Sequence, residues 1–187
     1  MSQTSSLSRL QELLPQIFQA TELPGESYLR CQLKPNLSAL MSMEYVQESL
    51  LVPREQITTI PNMSPSVIGV MNSRDHVFFV IDLAQLLGLS SPSLCRQYHT
   101  VVIRVSQFVS EHFVYEGELF VGLAFNKIQG LTRVLPDTIY SPSDTEELPQ
   151  EDLFSPLIPY TKQWMIDSEK QLPILDVATI VQKIISI

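Results

Sequence analysis

The sequence predicts an all-β protein made of two small barrels, and three observations lead there. An eight-residue unit recurs: Val80-Ile-Asp-Leu-Ala-Gln-Leu-Leu87 aligns with Ile174-Leu-Asp-Val-Ala-Thr-Ile-Val181, apolar for apolar, with Asp and Ala identical. Short segments of period-2 alternation or dense β-branched and aromatic content follow one another along most of the chain. A shared offset relates further pieces of the two halves. Met43-Glu-Tyr-Val-Gln47 lines up with Phe125-Asn-Lys-Ile-Gln129 and Ile57 with Ile139, each 82 residues apart. The strand-to-helix unit repeats at 94, so twelve extra residues lie between Ile139 and Ile174. Each unit alone is too small for a strong core, and packing one against the other buries faces that neither could cover separately.

The elements follow in order. Leu7, Leu10, Leu14 and Ile17 are spaced three, four and three apart, which makes Ser6 to Gln19, within an N-terminal segment 1–27, either a short amphipathic helix or a disordered arm, and Pro15 opposes a continuous helix. Tyr28 to Leu33 is a strand and Lys34-Pro-Asn36 a turn. Leu37, Ala39, Met41, Met43 and Tyr45 alternate with Ser38, Leu40, Ser42 and Glu44, the pattern of a half-buried strand. Val46 to Val52 is a strand ending at Pro53, and Ile57 to Ile60 runs into Pro61. Val67 to Met71 and Val77 to Ile81 are rich in strand-forming residues. Asp82, three residues before Gln85, has the spacing of a helix N-cap, and Gly88 that of a left-handed stop. Ser90 to His99 reads as a polar link, Val101 to Phe108 as a strand, and Val114 through Gly117 as the start of a hairpin. Leu119, Val121, Leu123 and Phe125 alternate with Phe120, Gly122 and Ala124. Ser141 to Pro159 carries four prolines and five acids with no base, a solvated loop that can hold the twelve extra residues.

Composition excludes several classes of function. Among 187 residues, 17% are charged, below the roughly 25% usual for soluble domains, so much of the surface is neutral polar or covered by partners. The net charge of −8 repels phosphate backbones and anionic lipid, which argues against nucleic-acid and membrane-surface partners. Cys31 and Cys95, the two cysteines, have no metal-site spacing and read as buried reduced thiols. The N-terminal residues lack the basic and apolar regions of a signal peptide, and no apolar run approaches the roughly eighteen residues of a membrane span, so a cytoplasmic protein without membrane insertion is expected.

Catalytic chemistry is sparse. His76, His99 and His112 form no metal-ligand grouping, and no phosphate-binding glycine loop or nucleophile elbow is present, so no metal, cofactor or catalytic residue is expected. Asp82 and Asp176 are the tempting acid pair for a small β-barrel enzyme, but each opens the same repeated helix, where capping explains it. The polar turn Asn72-Ser-Arg-Asp-His76 between two apolar strands is either a hairpin whose side chains satisfy their own backbone or a partner-binding tip.

At these residues the chain resembles the CheW family of chemotaxis coupling proteins, including its relatives in type IV pilus motility. The family's stretch runs I-P-x-x-P-x-x-I-x-G-V-x-N-x-R-G, then P-x-x-D-L and a short helix. Ile60, Pro61, Ser64 and Pro65 open it here in altered register, and Ile68, Gly69, Val70, Asn72, Arg74, Asp82 and Leu83 match. Val46-Gln-Glu48 resembles the family's V-x-E segment. Asp75 stands in place of the family's glycine and Phe79 in place of its proline, while Pro173 keeps a proline in the second repeat. The resemblance covers about Tyr28 to Ile184.

It implies two intertwined five-stranded SH3-like barrels with short helices over residues 28–187, one centred on 28–100 and the other on 101–187, with elements open to exchange between them. It also implies a non-enzymatic adaptor that joins chemoreceptor cytoplasmic helices to the regulatory domain of a CheA-type histidine kinase, recruited to membrane receptor arrays for chemotaxis, phototaxis or pilus motility. Val46, Glu48, Asn72 and Arg74 are the residues it assigns to partner binding, with the divergent Asp75 beside them. Glu48 and Arg74 show no evident reason for burial, so both are expected at the surface. A diverged relative that binds a response regulator or another signalling protein is the alternative.

Overall fold

The computed structural model describes residues 24–74, 76–89, 95–108, 118–141, 154–167 and 170–187. The residues expected to form an N-terminal amphipathic helix, and those from Val114 to Gly117, lie outside this set. The first half supplies β1 (Glu26–Lys34), β2 (Leu37–Ser42), β3 (Val46–Pro53), β4 (Val67–Ser73), β5 (His76–Asp82) and helix α1 (Leu83–Leu86). The second supplies β6 (Gln97–Arg104), β7 (Phe120–Phe125), β8 (Lys127–Val134), β9 (Ile139–Tyr140), β10 (Thr161–Asp167), β11 (Lys170–Leu175) and α2 (Val177–Ile185).

Each sheet draws on both halves of the chain. One runs β8-β1-β2-β11-β10-β9 and the other β3-β6-β7-β5-β4. The third strand of each half therefore pairs antiparallel with the first strand of the other: β3 with β6, and β8 with β1. The fifth strands cross too, β5 lying parallel to β7 and β11 parallel to β2. Each sheet curls towards closure through one continuous segment. Beyond β8 a 3₁₀ turn, Pro136–Thr138, leads into β9, whose Tyr140 pairs with Trp164 of β10. Beyond β3 the 3₁₀ turn Arg54–Gln56 leads to Thr58, which bridges Val70 of β4. These two closures match residue for residue, at offset 82 on one side and 94 on the other. Gly69 permits the second: with φ +154°, its backbone lies so close to Thr58 that an added Cβ would sit 2.3 Å from the Thr58 carbonyl oxygen.

The repeat extends into the cores. Inside the five-stranded barrel Val52, Met71, Phe78 and Val80 are buried together, and inside the six-stranded one Val134, Met165, Leu172 and Ile174 occupy the matching places. Where the packing differs, it compensates. Gly122 leaves room that the Phe78 ring fills, since a Cβ there would come within 3.0 Å of that ring. The counterpart of Gly122 is Leu40, and the smaller Leu172 stands opposite it in place of phenylalanine. Between the barrels lies a third core, which includes Cys31, Leu33, Met41, Ile81, Ile103, Leu123, Leu157, Ile180 and Val181. That core changes the reading of β2. Leu40 faces the barrel interior while Leu37, Ala39 and Met41 face the central core, so the strand is buried on both sides and ends at Ser42, not Tyr45.

Two further segments differ from the sequence reading. Gln97 to His99 belong to β6, paired with β3, and are not part of a polar link. The stretch expected as solvated loop is structured from Phe154: Ser155–Tyr160 winds into 3₁₀ turns and Leu157 is fully buried in the central core. The backbone N–H of Asp176 donates to the Tyr160 carbonyl as that of Asp82 donates to Ser66. The twelve extra residues are thus confined between Tyr140 and Tyr160. Cys31 is buried, and burial pushes its thiol up to about 12, whereas Cys95 is only partly covered.

Both aspartates are helix caps. Asp82 Oδ1 accepts from the Gln85 N–H at 3.0 Å and Asp176 Oδ1 from the Thr179 N–H at 3.2 Å. At the other end of α1, Gly88 at φ +78° donates to Gln85 and Leu89 to Ala84, the paired bonds of a Schellman stop. Asp82→Ala and Asp176→Ala should each lower unfolding free energy by roughly 0.5–2 kcal/mol, with Asn or Ser restoring most of it, as denaturant melts would read. The cysteines make a second prediction. A thiol reagent at pH 8 should label Cys95 in the native protein and reach Cys31 only on unfolding. Because the folded thiol holds its proton more tightly than the unfolded one, Cys31 contributes stability that is full below about pH 9 and is lost as pH rises towards about 12.

Candidate protein-binding site

The hairpin of β4 and β5 pairs Ser73 with His76, so its tip is a two-residue loop that begins at Arg74. Such loops follow the twist of the strands when their residues take positive φ, a conformation suited to Gly, Asn or Asp. Arg74 takes it at φ 53°. An arginine there costs on the order of 1 kcal/mol through contact of its Cβ with the following carbonyl. Backbone preference therefore does not select it. Asp75 lies outside the described residues.

Glu48 holds the arginine from behind. A bulge in β3 skips Gln47, since the register with β6 shifts between Val46 and Glu48. The Glu48 carboxylate then meets the turn. Ser73 Oγ donates to Oε1 at 3.3 Å, and Arg74 Nη2 lies 3.7 Å from Oε2. The two partners differ in exposure: the arginine side chain is 80% exposed and the glutamate 21%. Glu48 Oε2 is shut off from solvent and makes no hydrogen bond, which leaves the nearby Arg74 guanidinium to offset its charge. The expectation that Glu48 sits free at the surface is corrected here. Its carboxylate is mostly covered, with a bulge and a serine hydroxyl setting its direction.

The other expected residues separate from this pair. Asn72 is exposed on β4, opposite Val77 of β5. Val46 is half-buried and packs against the central core, so it seats β3 and does not share the turn's polar surface. Sequence reasoning missed three features around the turn. The His76 ring lies 4.3 Å from that of Phe120. Arg104 and Glu118 form an ion pair at 3.1 Å. Val77 and Phe79 are exposed at 69% and 40%. The run Val77-Phe-Phe-Val-Ile81 is apolar throughout, so no alternation told which of its side chains face outward.

The two aspartates that could form an acid pair serve the fold. Asp82 and Asp176 each spend a carboxylate oxygen on a helix N–H. Among the described residues no group of three His, Cys, Asp or Glu side chains could hold a metal ion, and no helix is long and apolar enough to cross a membrane.

The chain thus forms two strand-exchanged SH3-like barrels that carry a polar turn backed by a mostly covered carboxylate. The match to the CheW-like domain model extends over residues 27–184, and the chain belongs to that family of chemotaxis scaffolds. Among solved structures, the chain is similar to the scaffolding protein TtCheW from Thermoanaerobacter tengcongensis. The TM-score is 0.59 at 14% identity, over 81% of this chain and 88% of that one. No curated protein matches the sequence.

Arg74 and Glu48 differ in what their loss should do. Arg74→Gly should lower stability by less than about 1 kcal/mol, because relief of the positive-φ strain offsets most of what the covered Glu48 carboxylate loses with its cation. Glu48→Lys should lower it by roughly 1–3 kcal/mol, because a second cation would replace a covered carboxylate beside Arg74. Thermal melts of the two variants check both magnitudes.

Proposed function

We propose that this chain is a non-enzymatic adaptor that couples chemoreceptor cytoplasmic helices to the regulatory domain of a CheA-type histidine kinase. The observation that carries the reading is Arg74: strained in its backbone, exposed at its guanidinium, and paired with a Glu48 carboxylate that Ser73 orients. A residue kept in place against local stability points to a role outside the fold. Asn72, Arg74 and Asp75 form the contact surface, Glu48 aims the arginine, and Val46 anchors the strand that carries Glu48. Without a crossing helix among the described residues, the protein reaches a membrane array through its receptor and kinase partners, from the cytoplasm. The acidic balance keeps nucleic acid away.

A desolvated arginine at an interface centre costs about 2 kcal/mol or more on truncation, near thirtyfold in affinity. Arg74→Gly and Arg74→Glu should therefore weaken binding to the kinase regulatory domain or to a receptor-tip fragment by at least about tenfold. Asp75→Gly should shift the preference between these two partners with little change in melting temperature. Calorimetric titrations of each variant against both fragments measure this. Unchanged affinities across the set would remove the turn from the interface.

A further inference from the structure

The internal repeat shows what covers the outer face of one hairpin and leaves the other open. In the six-stranded barrel, the outer face of β10–β11 carries Trp164, paired with Pro173. Phe154 stands edge-on to that indole, with ring centres 5.3 Å apart, and Trp164 is 1% exposed. Three residues on, Leu157 is fully buried, and its N–H donates to the Phe154 carbonyl at 2.8 Å. The aromatic side chain covers the indole, and the aliphatic one, a tight turn further on, seals the edge where this hairpin meets the central core.

Among the described residues, the matching face of the five-stranded barrel has no such cover. Val70 and Phe79 are the counterparts of Trp164 and Pro173, and they pair in the same register. Counting back from β4 and β10, Ile60, Asn62 and Met63 stand where Phe154, Pro156 and Leu157 do. Asn62 has φ +61°, a left-handed bend that proline cannot adopt. The segment does not wind into a 3₁₀ turn there, and Ile60 and Met63 remain 38% and 39% exposed. On the hairpin itself Val77 and Phe79 are exposed as well, and Arg74 at its tip keeps an exposed guanidinium.

We propose that this face receives a segment of a partner protein that presents an aromatic and an aliphatic residue three positions apart, beside an acidic group that meets Arg74. The chain's own Phe154 and Leu157 supply the pattern for the apolar pair, and charge complementarity with Arg74 supplies the acid. The inference rests on the partner-binding reading of the turn and extends it along the hairpin.

The probe is a synthetic peptide covering Asp152 to Tyr160 of this chain, titrated into the full chain and followed by methyl and amide NMR shifts. Saturable shifts at Val70, Val77 and Phe79 are expected. Affinity should fall at least about tenfold with Val77→Glu or Phe79→Ser in the protein, or with Phe154→Ala in the peptide. Val77 is the more exposed of the two, so its variant keeps the test valid if Phe79→Ser melts early. Absence of binding, or shifts centred on Trp164 instead, overturns the proposal. Concentration-dependent self-association abolished by Val77→Glu overturns the partner and assigns the face to a second copy. The turn and the face are separable: kinase binding lost in Arg74→Glu but intact in Val77→Glu and Phe79→Ser rejects the face and retains the turn.

Discussion

The exchange of third strands is the constraint on which the rest of the molecule depends. β1 obtains one of its two neighbours from the opposite half of the chain, and so does β6. Without the swap each half would keep unpaired strand edges and a half-built barrel. With it, the outward faces of the crossed strands meet in a central core that belongs to neither barrel alone. Hydrogen bonding and apolar burial are satisfied by the same crossing, so a change that weakens one weakens the other. It also makes the bulges matter. The skip at Gln47 and the equivalent skip at Gln129 turn each exchanged strand from one neighbour's twist to the next, and the first of them aims Glu48.

Much of this was legible in the sequence where local chemistry decides the outcome. Asp82 and Asp176 recur because two helix starts need the same acceptor, and Gly88 marks a stop that needs left-handed backbone. The offsets of 82 and 94 located the repeat because burial keeps apolar positions in register. What escaped depends on which surface a strand meets. Leu40 sits in a polar phase of an alternating pattern yet is buried, because β2 lies between two cores. Leu157 sits in a segment of prolines and acids yet fills the central core. Single-strand periodicity carries no information about a second apolar layer.

The candidate site was legible as a list of residues, not as an arrangement. Asn72, Arg74 and Glu48 were chosen from resemblance. The pairing of Arg74 with Glu48 follows from a bulge and a tight hairpin tip, whose backbone angles cannot be read from side-chain type. The covered carboxylate is the main surprise. Glutamate is rarely enclosed without a partner, and here the partner is a cation on the opposite side of a hairpin tip. The site thus couples a surface group to an interior one, and the exposed arginine takes its orientation from a residue that a ligand would scarcely touch.

The order in which the chain is made gives the strand exchange a further meaning. During synthesis β1 and β2 emerge first, but the partner that closes β1 begins at Lys127 and the one that closes β2 ends at Leu175. Nor can β3 pair until Gln97 and beyond have left the ribosome. No half of the chain forms a closed unit on the way out, so folding waits for nearly the whole polypeptide. Long-range pairings of this kind are slow, and the open strand edges invite association with other nascent chains meanwhile. The architecture that locks the finished scaffold together therefore leaves its unfinished form with open edges for most of its synthesis.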